Sequence, residues 1–371
     1  MLLFPQKAGA TIDAASRKFY VLSARSGMSE QLCEQFRMAG INAVDTLHQD
    51  FHQEGLSIPT NANGVVVDIG ASEQIDKIVQ SIQMQIPRDV WCCLVGDSDS
   101  ISLAQAFARN NINYFSIHAQ QDVMVQAAVS GIELKANRQP VSISVLGCKG
   151  GVGTSTIGYQ LSNEIARIKQ MPTLFVHGAH GSQDLDLIAG MKLTHEITMG
   201  GKQLDLMNSQ SEQLPNLNQA DLQKYNFVVF EQSIITADKE LQRHLVESSL
   251  CLILVMDRSM ASVRVARNMI ENLQLLQRTS QASRRLFLCI NDSRPVAANA
   301  LTPEDIKSIL NRPVDLIFPY NKQKNTAQIK RLPFSRKISP MDELTHYVLG
   351  GATNPKASRK NQLRLRSGKV S

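Results

Sequence analysis

The sequence predicts an α/β protein built as two parallel-sheet domains in tandem. Strand-like apolar runs alternate with helix-period runs through residues 18–130. A strand, a glycine-rich turn and an amphipathic helix follow one another from Val141 to Ile168. Three further buried-type runs, Phe227–Phe230, Cys251–Met256 and Leu286–Ile290, recur with helical patterns between them. Strands that alternate with helices are the pattern of a parallel sheet covered by helices.

In chain order, residues 1–17 read as a flexible lead-in. The first domain spans 18–130. Its strand signals are Phe19–Leu22, Ile41–Val44, Gly64–Asp68, Val90–Val95 and Asn113–Ile117. Helical patterns lie between them at Met28–Met38, Ile75–Ile82 and Leu103–Ala108, with a last one from Val123 to Val129. Ile75, Ile78, Val79 and Ile82 share one helix face, and Leu32 and Phe36 another. Five strands interleaved in this way imply a flavodoxin-type fold. Gly131–Pro140 is polar and ends in proline, as a linker does. The second domain covers 141–352, and residues 353–371 form a basic tail. Pro172–Val176, Phe227–Phe230, Cys251–Met256, Leu286–Ile290 and Leu316–Tyr320 are its further strands, and Thr302-Pro303 opens a helix. Residues 191–222 are polar and poorly periodic, and the sequence assigns them no element.

Composition bounds the function. With 371 residues the chain can bury two or three real cores. Hydrophobic content of 43% and charged content of 19% belong to an ordinary folded protein. No apolar run approaches the roughly 18–20 residues that a membrane span needs, and the start MLLFPQKAGATIDAASRKF is too weakly apolar for a secretory signal. A cytoplasmic location is the expectation. The six cysteines form no C-x-x-C pair, and most sit in apolar runs, so they read as buried reduced thiols. The net charge of +6 has a local origin: six of the 39 basic residues lie in Lys356–Ser371, which leaves 33 against 33 acidic ones. A balanced body gives no footprint for specific nucleic-acid binding. A second acid-free run, Asn321–Pro340, carries Lys322, Lys324, Lys330, Arg331, Arg336 and Lys337. At about 1 kcal/mol per cation, the basic tail supports only loose contact with an anionic membrane.

The turn VSISVLGCKGGVGTST is where the chemistry lies. A loop that wraps a phosphate needs several backbone N–H groups turned inward, which glycine allows cheaply. The helix behind it adds free N–H groups and partial positive charge. Gly153 fits the second glycine of the pattern G-x-x-x-x-G-K-[ST], and Ser155 fits its magnesium-binding hydroxyl. Thr154 stands at the lysine position, while Lys149 comes early in the loop. The expected phosphate cradle is Lys149, Gly150, Gly151, Val152, Gly153, Thr154, Ser155 and Thr156.

A lysine in that early place resembles the deviant Walker A loop of the MinD/ParA ATPase superfamily. The resemblance implies ATP and Mg2+ as cofactors and a homodimer in which Lys149 reaches the partner's nucleotide. LDLIAG at 185–190 resembles the same stretch of that family. Aligned on it, His177 and Ala179 occupy the positions of two catalytic aspartates, so Ala179 replaces the catalytic acid. Asp184 and Asp186 read as surface or helix-capping acids. Glu231 closes a buried strand where the family carries its Walker B aspartate, and is the implied Mg2+ contact with Ser155. Asn291 falls on the family's adenine-binding asparagine, although an asparagine after a strand is also a plain turn former. Pro319 falls where the family lines the base pocket.

The first domain resembles a response-regulator receiver. Asp68 lies where a receiver carries its phosphorylated aspartate. Ser23-Ala24-Arg25 replaces the acidic pair, and His118 the lysine, so the resemblance stops short of phosphorylation chemistry. Binding a partner or packing a dimer is the expected role. A receiver-like domain without acid chemistry, joined to a MinD/ParA-like domain that keeps Lys149, resembles the TadZ/CpaE group, localisation factors of the Tad (Flp) pilus secretion machinery. That resemblance implies a cytoplasmic dimer at the inner membrane, at a cell pole, with the machinery's proteins as partners and at most very weak ATPase activity. Two other readings stay open: an active ParA/MinD-type ATPase positioning DNA or protein, and an atypical response regulator.

Overall fold

A computed structural model of the chain describes residues 18–51, 58–59, 61–130, 138–181, 184–193, 197–279, 284–320 and 339–351. The chain divides into two compact units, Met1–Arg138 and Gln139–Ser371. The expected lead-in, most of the linker, the basic run at 321–338 and the basic tail lie outside the described residues.

The first unit contains β1 (Lys18–Leu22), α1 (Ser26–Met38), β2 (Val44–Leu47), β3 (Ala62–Asp68), α2 (Ile75–Gln85), β4 (Trp91–Gly96), α3 (Ile101–Ala108), β5 (Asn113–Ser116) and α4 (Gln121–Ser130). Its sheet is wholly parallel in the order β2-β1-β3-β4-β5. This is the strand order of flavodoxin-like doubly wound sheets. Side-chain alternation splits the core into two layers. Leu22, Val65, Val67 and Leu94 pack on Ile78 and Ile82 of α2 and Phe107 of α3. Val21, Val66, Cys93 and Val95 pack on Leu32 and Phe36 of α1 and Met124 of α4. The expected strand Ile41–Val44 is shifted to Val44–Leu47, because Ile41 still belongs to the turn that ends α1. The helix expected at Leu103 starts at Ile101, where Ser100 caps it by accepting from Leu103 N.

The second unit contains β6 (Val141–Gly147), α5 (Thr154–Lys169), β7 (Thr173–His177), α6 (Leu185–Ala189), β8 (Thr198–Met199), β9 (Leu204–Asn208), β10 (Phe227–Ser233), α7 (Lys239–Ser248), β11 (Cys251–Met256), α8 (Met260–Thr279), β12 (Arg285–Asn291), α9 (Pro303–Leu310), β13 (Leu316–Phe318) and α10 (Pro340–Val348). The sheet order is β13-β12-β11-β6-β10-β7-β9-β8. All pairs are parallel except β8 with β9. One face, with Leu146, Val228, Phe230, Leu254 and Leu288, packs against α7, α8 and α9. On the other lie α5, whose Tyr159 meets Phe175 edge-on, and α10, whose Tyr347 stacks on Phe287 at 5.9 Å. Thr302 and Asp305 close a capping box at the start of α9, with Pro303 in its first turn.

The region 191–222 does contain structure. β9 is an internal strand beside β7, and Leu204 and Leu206 are buried. Its sequence, LDLMN, is short and carries two polar residues, and β8 pairs along its other edge. Among the described residues all six cysteines are free and buried, and no helix is long and apolar enough to cross a membrane.

Candidate functional site

In a parallel sheet all strands point their carboxyl ends to one edge, and ligands bind there where the chain switches direction. In the second unit that point is β6: the chain runs from it to one side through β7, β9 and β10, then crosses to β11 on the other. The loop leaving β6 is the glycine-rich turn. Gly151 and Gly153 take left-handed backbone angles, φ +73° and +84°, and α5 starts immediately after. The structure thus brings residues 149–156 into one strand–turn–helix unit.

Three contacts shape this turn. Thr154 is buried, and its hydroxyl packs against the Cα of Gly147, so its short side chain is turned into the turn. Asn291, the last residue of β12, donates from Nδ2 to Val152 O at 2.7 Å and lies over Gly153. That bond pins the turn, and it commits one of the two amide donors expected to serve a base. Pro319 is exposed and directly follows Phe318, which pairs in register with Asn291.

Lys149 is held by its own chain. Its Nζ lies 2.6 Å from Asp257 Oδ2 and donates to Ser259 Oγ at 3.2 Å. Asp257 follows β11, the strand beside β6. Burial pushes its carboxyl up, but the Lys149 and Ser259 contacts outweigh burial and hold it below the usual range. The side chains are 43% and 28% exposed. Such a pair is worth about 0–1 kcal/mol, weak enough to be exchanged for a phosphate. Next to it Arg258 makes a two-pronged contact with Asp292, 2.7 and 3.0 Å, which ties the ends of β11 and β12. The sequence reading missed Asp257, Ser259 and the Arg258–Asp292 pair. An acid or a serine just past an apolar strand is the signal that could have found them.

Glu231 is placed differently from what a magnesium ligand needs. It sits opposite His177 in the register of β10 and β7, and His177 Nδ1 lies 2.6 Å from Glu231 Oε2. Both residues are almost fully buried. Gly181 folds back onto the imidazole so closely that a methyl group there would overlap the ring. Mg2+ demands six oxygen ligands in near-octahedral geometry and keeps several waters. Here the hydroxyl expected to help, Ser155, is present and buried. The carboxylate, however, faces an imidazole. Among the described residues no group of three or more His, Cys, Asp and Glu is arranged to hold a metal. The residues present do not fit a protein-held Mg2+. Ala179 lies in the turn after β7, its N–H donating to Ser211 O. Asp184 and Asp186 are exposed at the start of α6, as surface acids.

In the first unit, Asp68 ends β3 and is buried. Arg25 grips it with Nε to Oδ2 at 2.8 Å and Nη2 to Oδ1 at 2.5 Å. Ser23 Oγ and Gly70 N also donate to it. Arg25 Nη1 reaches Asp97 after β4, at 2.8 Å. Burial pushes the Asp68 carboxyl up, but these donors hold it below the usual range. The guanidinium thus bridges the carboxylates of Asp68 and Asp97. His118 lies just past β5, exposed.

Neither a family model nor a curated protein matches the chain. Similar solved structures include a ParA family ATPase from Chlorobium tepidum TLS, at 16% identity and a TM-score of 0.41, over 57% of this chain and 99% of that one. The MinD cell division protein of Aquifex aeolicus is similar at 16% identity and a TM-score of 0.41, over 57% and 98%. A septum site-determining protein MinD from Pyrococcus horikoshii OT3, complexed with Mg-ADP, is similar at 13% identity and a TM-score of 0.37, over 49% and 82%.

The geometry of the turn gives a direct expectation. Gly153→Ala should cost about 1–2 kcal/mol from the left-handed backbone alone, and more because the new methyl meets Asn291 Nδ2. Urea unfolding followed by circular dichroism measures it. An unchanged midpoint would mean that the turn does not adopt this conformation.

Proposed function

We propose that the chain is a TadZ/CpaE-type localisation factor of a Tad (Flp) pilus machine, a dimeric scaffold that binds ATP in a degenerate loop and barely hydrolyses it. The observation that carries this reading is the contrast within one sheet edge. The phosphate-binding turn keeps its glycines, its helix and Lys149. The positions that would break the phosphate bond are Ala179 and a Glu231 engaged by His177. Binding groups persist where transition-state groups do not. The receiver-like first unit supports the same reading, since Arg25 closes its acid pocket and leaves it suited to docking. The resemblance of both halves supplies the pilus role, the polar site at the inner membrane and the machinery's proteins as partners.

In this reading Lys149 leaves Asp257 and reaches the nucleotide of a second copy. Light scattering on a size-exclusion column, with and without ATP, tests it on wild type and Lys149→Ala. A charge-assisted contact is worth about 1.5–3 kcal/mol, so the substitution should weaken the ATP-bound dimer roughly tenfold to a hundredfold. A dimer indifferent to both ATP and Lys149 would remove the nucleotide from the assembly. Brisk ATP turnover by the purified protein would favour an active ATPase instead.

A further inference from the structure

We propose that this cradle takes its nucleoside triphosphate free of any divalent cation, the His177–Glu231 pair standing where an ion and its waters would otherwise be held. The inference rests on the ATP-binding reading above and concerns the chemical form of the ligand.

Three observations converge. Of residues 177, 179 and 231, only Glu231 can offer an anionic oxygen, and that oxygen is 2.6 Å from an imidazole nitrogen. The space around the pair is closed. Gly181 lies on the imidazole ring, and a methyl group at Gly158 of α5 would stand 3.5 Å from Glu231 Cβ and 2.8 Å from the Phe175 ring. A magnesium ion that keeps several waters does not fit between groups packed so closely. Finally, neither nitrogen of His177 makes a well-aligned hydrogen bond and Glu231 Oε2 accepts none among the described residues, although the two side chains are in contact. Buried polar atoms are nearly always satisfied, and exceptions call for a reason. A histidine placed opposite a glutamate in register on neighbouring parallel strands supplies one: the pair is retained as a plug of the metal position.

The triphosphate's charge then has to be met by the protein. Lys149, held by part-exposed contacts with Asp257 and Ser259, and the N-terminus of α5 are the groups available. A cation-free ligand also agrees with a site that holds its nucleotide without cleaving it, because the ion that would neutralise developing charge is missing.

Isothermal titration of ATP into the full chain, once with excess MgCl2 and once with excess EDTA, tests this. The affinities should agree within about threefold. A gain of tenfold or more with Mg2+ overturns the inference and leaves the ATP-binding reading standing. No binding in either buffer overturns both. His177→Asp should create a gain of at least tenfold with Mg2+, with circular dichroism confirming that the variant folds. A folded variant without that gain overturns the role given to His177. Should the variant not fold, the wild-type comparison decides alone.

Discussion

Replacing Arg25 by alanine should destabilise the first unit more than any other single surface substitution in it. The Asp68 side chain is only 3% exposed, and Arg25 supplies two of its contacts. Removing one partner of a buried pair costs about 3–5 kcal/mol, because the remaining charge is left uncompensated. The Arg25 side chain is 38% exposed, so water reaches the vacated space and the loss is scaled down to about 2–3 kcal/mol. Asp68→Asn should cost less, about 1 kcal/mol, since Arg25 keeps Asp97 and solvent. The single tryptophan, Trp91, is buried in β4 of this unit, so its fluorescence during urea unfolding reports this unit alone. Equal losses in the two variants would show that the pair does not hold the carboxylate as described.

The same contact sets an acid limit. The Asp68 pKa in the folded protein is held below its ordinary value. The stabilisation is therefore complete above the unfolded-state pKa of about 3.9. It is lost as pH falls from there through the folded-state value. Arg25→Ala should flatten that acid-side loss relative to wild type.

Thr154→Lys should raise ATP affinity roughly tenfold to a hundredfold. A lysine there adds a charge-assisted contact to the phosphates worth about 1.5–3 kcal/mol. Thr154 begins α5, and its hydroxyl packs on Gly147. A longer side chain has to leave that packing and extend toward the loop's mouth, so some of the gain is offset. Turnover should not rise in proportion, because Ala179 offers no carboxylate and Glu231 stays engaged by His177. Titration calorimetry reads the first effect and phosphate release the second. A variant that turns over ATP in step with its tighter binding would mean that the lost lysine alone had silenced the site.

Much of the fold is legible in the sequence. The strong strands and the glycine turn are local, and their apolar runs and glycines are enough to place them. Strand edges were less legible. The start of β2 depends on how α1 ends, and β9 depends on being covered by β8, which its own five residues do not encode. The candidate site divides in the same way. Lys149 and the turn could be read from order along the chain. The Lys149–Asp257, Arg25–Asp68 and His177–Glu231 pairs join residues 108, 43 and 54 positions apart, and only the sheet order brings them together. Each pair shows an anion met by a cation or ring of the same chain, and no window of sequence contains both partners.

The two margins of the larger sheet have a consequence for how copies of the chain meet. One ends in β8, a two-residue antiparallel strand, and the other in β13, of three residues. Margins so short give little template for an intruding strand, which guards against fibre-like stacking. Copies of this chain should therefore associate by docking loops and helices, a geometry that can be undone, rather than by knitting their sheets into one.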